Sequence, residues 1–126
     1  QLAEYEGMSS EVSATQEKIS RSLTQGDCRA VIGEEDGAAV AFALYFFNYS
    51  TFLGQKGLYV EDVFVSPGTR GKGYGKVMID KVIALCRNKG NMTLMLTSRP
   101  SRIVANQLYQ SLGFEKRETN VYKMKF

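Results

Sequence analysis

The chain has 126 residues, 44% hydrophobic and 23% charged, the size and composition of one soluble domain (1–126) with a single modest core. Sixteen Lys and Arg against thirteen Asp and Glu leave a net charge of +3, which suits an anionic small molecule and falls short of a typical nucleic-acid binder. The sequence holds no histidine, which excludes Ser-His-Asp hydrolysis and histidine-rich zinc sites, so no metal is expected; no apolar run nears the roughly 20 residues of a membrane helix, so no membrane partner is expected either.

Residues 1–8 carry Glu4 and Glu6 and lack the apolar stretch of a secretory signal, which predicts a cytoplasmic protein. Ser13 and Gln16 have capping-box spacing, and Ile19 and Leu23 then share one face of a helix expected to end near Gly26. "CRAVIGEE" and "AAVAFALYFFNY" read as a hairpin around the acidic turn Glu35, Asp36 and Gly37. "LYVEDVFV" (58–65) is a third strand, apolar except at Glu61 and Asp62 and stopped by Ser66, Pro67 and Gly68. From Tyr74 the period becomes helical, with Val77, Met78, Val82, Leu85 and Cys86 on one face and Gly90 as the expected cap. "MTLMLTS" (92–98) is a strand, and strand, helix, strand order demands a parallel pair joined by a crossover. "RIVANQLYQSLG" reads as a short helix closed by Gly113, and Tyr122 to Phe126 alternate as a final strand with one wet face. Cys28 and Cys86 are expected to be buried free thiols. The expected fold class is α/β (α+β), a mixed, mostly antiparallel sheet with one parallel β-α-β crossover and flanking helices.

The segment "SPGTRGKGYGK" (66–76) packs four glycines and three basic side chains between a strand and a helix. Three readings are open: a phosphate cradle, a flexible solvated loop, and a basic patch for nucleic acid. The first N–H groups of a helix lack partners within it and favour an anion, and glycine lets several N–H groups converge without intervening Cβ atoms. Two nucleotide motifs fail. Gly71 to Gly75 encloses three residues where a Walker loop needs four, and Lys76 is followed by Val77. The dinucleotide fingerprint would need glycine at position 76 and an acidic residue some twenty positions on, where residues 91–96 offer none.

Arg70-x-x-Gly73-x-Gly75 between a strand and an amphipathic helix, followed by "ANQLYQSLGF" (105–114), resembles the GNAT superfamily of N-acetyltransferases. That family's acyl-CoA pyrophosphate loop reads Q/R-x-x-G-x-G/A, and its later segment reads A-x-x-x-Y-x-x-x-G-F. "LYVEDVFVSPGTRGKGYGK" further resembles the diamine (spermidine and spermine type) branch, which carries a Glu-Asp pair on the strand before the loop. The resemblance covers roughly residues 28–126 and implies acetyl-CoA as co-substrate and acetyl transfer to a small cationic amine by direct attack. It also implies roles. The backbone of Val63, Phe64 and Val65 would pair with the pantetheine arm. The N–H groups of Arg70, Gly71, Lys72, Gly73, Tyr74, Gly75 and Lys76 would hold the pyrophosphate.

Ionised carboxylates in an apolar strand are costly unless paired or open to a cleft. Adjacent strand residues point to opposite faces, so only one of Glu61 and Asp62 is expected on the substrate side. The resemblance assigns Glu61 the base that deprotonates the amine and leaves Asp62 to attract it; a salt bridge with Lys or Arg is the bland alternative. Tyr109 by spacing alone belongs to an amphipathic core, whereas by resemblance it protonates the departing thiolate, with Asn106 near the pantetheine or the substrate. Arg102 stands where many members carry asparagine, so that pantetheine contact departs from the pattern. The family's first strand and most of its first helix are expected to be missing, and an open edge near Cys28 to Gly33 predicts a homodimer. Rival functions are a non-catalytic acyl-CoA-binding module and a basic protein contacting nucleic acid through Arg70, Lys72, Arg99 and Arg102.

Overall fold

The computed structural model describes residues 13–90 and 93–126. Helix α1 spans Gln16–Gln25, strand β1 Arg29–Glu35, β2 Ala38–Ser50 and β3 Gln55–Val65; after a 3-10 turn at Pro67–Thr69 come α2 (Tyr74–Asn88), β4 (Leu94–Leu96) and α3 (Ile103–Ser111). The four strands form one sheet in the order β1-β2-β3-β4. β1–β2 and β2–β3 are antiparallel, while β3 and β4 are parallel and joined by α2. The expected mixed α/β fold with its β-α-β unit is present.

Local chemistry sets the boundaries. α1 starts two residues later than the expected capping box: Thr15, not Ser13, is the N-cap, its hydroxyl accepting from the Lys18 N–H at 3.1 Å. The β1–β2 turn places Asp36 at φ 52° and Gly37 at φ 80°. Two successive positive φ values make the tight hairpin turn whose twist matches its strands.

The core lies between the sheet and α2. Met78, Ile79, Val82 and Cys86 are the buried residues of α2, and Met78, Val82 and Cys86 join Ala41, Ala43, Tyr45, Leu58 and Val60 in one cluster. Ala41 and Ala43 let the helix approach the sheet. Each large side chain so buried contributes about 1.5–3 kcal/mol. Burial also pushes the Cys86 thiol pKa up, as expected for an inert packed thiol; Cys28 is half-buried and also free. α2 ends with Lys89 as C-cap and Gly90 at φ 79°.

The final strand is a correction. Residues 115–126 carry no regular secondary structure and are exposed, with Tyr122, Met124 and Phe126 among the open apolar side chains. Alternation predicts a strand only where another strand supplies hydrogen bonds, and β4 pairs with β3 alone among the described residues.

Candidate active site

Residues 66–76 connect the carboxyl end of β3 to the amino end of α2. The Ser66 N–H bonds to the Val40 carbonyl at 2.7 Å, anchoring the turn to β2. Gly71 (φ 85°) and Gly73 (φ 78°) adopt the left-handed conformation that other residues reach only with strain. Val77 donates to the Gly73 carbonyl at 3.2 Å; the N–H groups of Tyr74, Gly75 and Lys76 belong to the first helical turn, where no intrahelical acceptor exists. Gly75 is already helical and a Cβ there would meet nothing within 4 Å. Neither backbone angle nor crowding among the described residues demands that glycine, and the surface over it is bare.

The three basic side chains of the loop are each engaged. Arg70 Nε donates to the Val65 carbonyl at 2.9 Å, with the guanidinium 5.6 Å from the centre of the Phe64 ring. Lys76 pairs with Asp80 at 2.7 Å along the helix. Lys72 Nζ lies 3.0 Å from Glu35 Oε1, and the Tyr74 hydroxyl donates to Glu35 Oε2 at 2.8 Å. Glu35, the last residue of β1, therefore clasps two loop residues at once. The Lys72 and Tyr74 hydrogen bonds hold the Glu35 carboxyl below the usual carboxylate range; its carboxylate in turn raises both Lys72 and Tyr74.

Among the described residues, β3 and β4 pair over Leu58–Leu94, Tyr59–Met95 and Val60–Leu96 and no further. β3 itself continues to Val65, held on its other edge by β2 through Leu44–Asp62, Ala43–Val63, Phe42–Phe64 and Ala41–Val65. Residues 61–65 thus have no strand on the β4 side among the described residues, and the opening leads to the loop and the α2 terminus. Ligand sites of α/β sheets favour such openings at the carboxyl ends of strands.

Glu61 and Asp62 depart from the expected alternation. Tyr45 pairs with Val60 and Leu44 with Asp62, so Glu61 is the extra residue of a β-bulge. Val60 and Val63 both pack on the α2 side, and two residues, not one, stand between them. The strict opposition of Glu61 and Asp62 is therefore lost. Asp62 lies opposite Leu44 and shares the far face of the sheet with Phe46 and Tyr59, whose rings stack at 5.0 Å. Glu61 is exposed and Asp62 half-buried.

Tyr109 sits on α3, edge-on to Phe114 at 5.8 Å, and accepts the Phe114 N–H on its carbonyl at 3.1 Å. Asn106 Nδ2 donates to the Arg99 carbonyl at 3.0 Å, which also accepts from the Arg102 N–H at 3.0 Å. Asn106 thus pins the β4–α3 turn.

The sequence matches the Acetyltransferase (GNAT) family over residues 2–114. The chain belongs to that family. The acetyltransferase is 32% identical over 123 residues to the thialysine N-epsilon-acetyltransferase of Bos taurus, covering 90% of this chain and 72% of the relative. It is 28% identical over 97 residues to the aminoglycoside N(6')-acetyltransferase type 1 of Salmonella typhimurium, covering 75% and 67%. Among solved structures, an aminoglycoside N-acetyltransferase in complex with CoA superposes with a TM-score of 0.72 at 26% identity, covering 88% of this chain and 86% of that one. The acetyltransferase is accordingly an acetyl-CoA-dependent enzyme acting on an amine. Its residues fit an elongated, anionic acyl coenzyme: an open strand edge, left-handed glycines and a bare helix terminus lie in succession.

Two side chains escaped the sequence reading. Glu35 of the acetyltransferase stands 37 residues from Lys72 and 39 from Tyr74; the one available signal was an acidic turn in a chain whose glycine loop is basic. Ser98 reads as the last residue of the strand 92–98, yet its Oγ is buried without a hydrogen-bond partner among the described residues. No helix among the described residues is long and apolar enough to cross a membrane.

Proposed function

We propose that the enzyme acetylates the primary amine of a small cationic molecule of the diamine or basic amino-acid class, with Glu61 as base, Tyr109 as acid and Asp62 as the attracting charge. The observation that carries this reading is the open β3 edge at residues 61–65, which begins at the two acidic residues and ends at the glycine loop. The names of the relatives, which specify amines of thialysine and of aminoglycosides, support the acceptor class. Because the relatives are named as acetyltransferases, turnover is favoured over a non-catalytic module.

When bound, acetyl-CoA supplies an acetyl group activated as a thioester. The chain's own residues do the rest. The backbone of Val63, Phe64 and Val65 would align the arm as an added strand, and the N–H groups of residues 70–76 would hold the diphosphate at the α2 terminus. An amine is protonated near neutral pH and must lose a proton before it can attack; Glu61, directly or through water, takes it. Asp62 and the stacked Phe46 and Tyr59 rings, on one face, offer the cation a charge and a π surface. Tyr109 returns a proton to the departing thiolate. No covalent enzyme intermediate is needed, consistent with a chain that has no histidine to activate a nucleophile.

We further infer a cytoplasmic homodimer. Two free cysteines suit a reducing compartment, and β1, paired with β2 alone among the described residues, leaves an edge for a second copy.

A thiol-release assay with acetyl-CoA and a panel of diamines, basic amino acids and aminoglycosides tests the function. Turnover with a cationic primary amine supports it; coenzyme binding with no release from any amine would return the chain to the binding-module class.

A further inference from the structure

The β1–β2 hairpin and the glycine loop meet at one carboxylate. Glu35 closes β1, paired with Ala38 across the turn, and Asp36 and Gly37 follow it at positive φ. Its Oε1 accepts from Lys72 Nζ at 3.0 Å and its Oε2 from the Tyr74 hydroxyl at 2.8 Å. An exposed ion pair alone contributes little. Here, however, the two oxygens have different donors on the same loop, one of them the hydroxyl of the half-buried Tyr74, and the donors stand on either side of Gly73.

That placement matters because of the backbone it grips. Gly71 and Gly73 are both left-handed, with open space where a Cβ would stand, and glycine loses more freedom on ordering than any other residue. Upstream, the Thr69 and Arg70 N–H groups return to the Ser66 and Pro67 carbonyls; downstream, the Val77 N–H takes the Gly73 carbonyl and the helix begins. The clasp falls between these two anchors and ties the loop to a hairpin that β2 already holds in the sheet. Charge alone points the other way. A carboxylate beside an anion site repels the anion and neutralises Lys72, so its removal should tighten the coenzyme on charge grounds and loosen it on positional grounds.

We propose that Glu35 is a positioning residue for the acyl coenzyme: it fixes residues 71–74 so that the loop N–H groups converge before the diphosphate arrives. It acts through Lys72 and Tyr74 and makes no contact with the ligand. The proposal rests on the acetyl-CoA reading above.

The test compares wild type, as the purified full chain, with Glu35→Ala, Glu35→Gln, Tyr74→Phe, the Glu35→Ala/Tyr74→Phe double variant, and Glu34→Gln, which removes the same charge from the exposed neighbour. Coenzyme A and 3′-phospho-ADP, the nucleotide half that carries the diphosphate, are titrated by calorimetry, and unliganded thermal midpoints are read beside them. Glu35→Ala should raise both Kd values about tenfold, and Glu35→Gln, which keeps an acceptor for Tyr74, about threefold. The double variant should bind no worse than Glu35→Ala, because the hydroxyl then has no partner left to lose. Glu34→Gln should bind both ligands as well as wild type or better. In turnover, the acetyl-CoA KM should rise with the Kd while kcat stays within about twofold. Unchanged or tighter coenzyme A binding in Glu35→Ala overturns the proposal, as does additive weakening in the double variant or weakening of coenzyme A with 3′-phospho-ADP unaffected. Weakening confined to variants with a lowered midpoint makes Glu35 a structural residue and overturns it too. Wild type that binds neither ligand refutes the coenzyme reading and the proposal with it, a result distinct from these.

Discussion

The Tyr74 hydroxyl donates to Glu35 at 2.8 Å, tying the first residue of α2 to the last residue of β1 across 39 positions of sequence. Lys72 holds the other oxygen of the same carboxylate. The glycine loop is thereby clasped to the β1–β2 hairpin before any ligand arrives, a form of preorganisation that lowers the ordering cost of binding.

This clasp has a pH signature. The folded-state pKa of Glu35 is depressed, so its contribution is present above the unfolded carboxylate pKa and is lost as pH falls through the folded value. Lys72 and Tyr74 are raised, so theirs are present below their unfolded values and fade as pH rises through the folded ones. Loop order should therefore hold from about pH 5 to about pH 10 and weaken outside those limits. Glu35→Gln should flatten the acid limb of a thermal-midpoint profile while leaving the mid-range nearly unchanged, because the pair is surface-exposed.

Gly75 should separate stability from binding. Alanine is the better helix former by about 1 kcal/mol, and a Cβ there meets no atom of the described residues within 4 Å. Gly75→Ala should raise the urea midpoint of the unliganded protein and weaken coenzyme A binding at least tenfold. Calorimetry beside denaturation reads both.

Glu61→Gln and Tyr109→Phe probe the proton path. Glu61→Gln should lower kcat on the order of 100-fold with the coenzyme A Kd unchanged. Tyr109→Phe keeps the edge-on contact with Phe114, so the thermal midpoint should hold while kcat falls about 10- to 100-fold.

Gly57→Ala should destabilise the fold without touching the site. A Cβ at residue 57 would collide with the Asn48 side-chain oxygen and with the Thr93 hydroxyl at 2.6 Å, in a strand flanked on both sides. The expected cost is about 1–3 kcal/mol in urea denaturation, with the coenzyme A Kd unchanged once folded.

Much of this was readable before any coordinates. The period change at Tyr74 and the strand, helix, strand order required the parallel β3–β4 pair, because hydrophobic spacing is a local property of the chain. The glycine loop was readable as a strand-to-helix junction, and Tyr109 as a residue of the short helix after β4. Three things were not. The bulge at Glu61 depends on where β2 places Leu44 and Tyr45, a choice made by the partner strand. The Glu35 clasp joins residues that only the folded sheet brings together. The alternation of Tyr122 to Phe126 had the right period for a strand, but period says nothing of whether an edge is available to receive it.

Amide hydrogen exchange with and without saturating coenzyme A tests the central claim most directly. Slower exchange concentrated in residues 61–76, with β1 and α1 unchanged, is the predicted result. Coenzyme bound at saturation with residues 61–76 exchanging as before would contradict it.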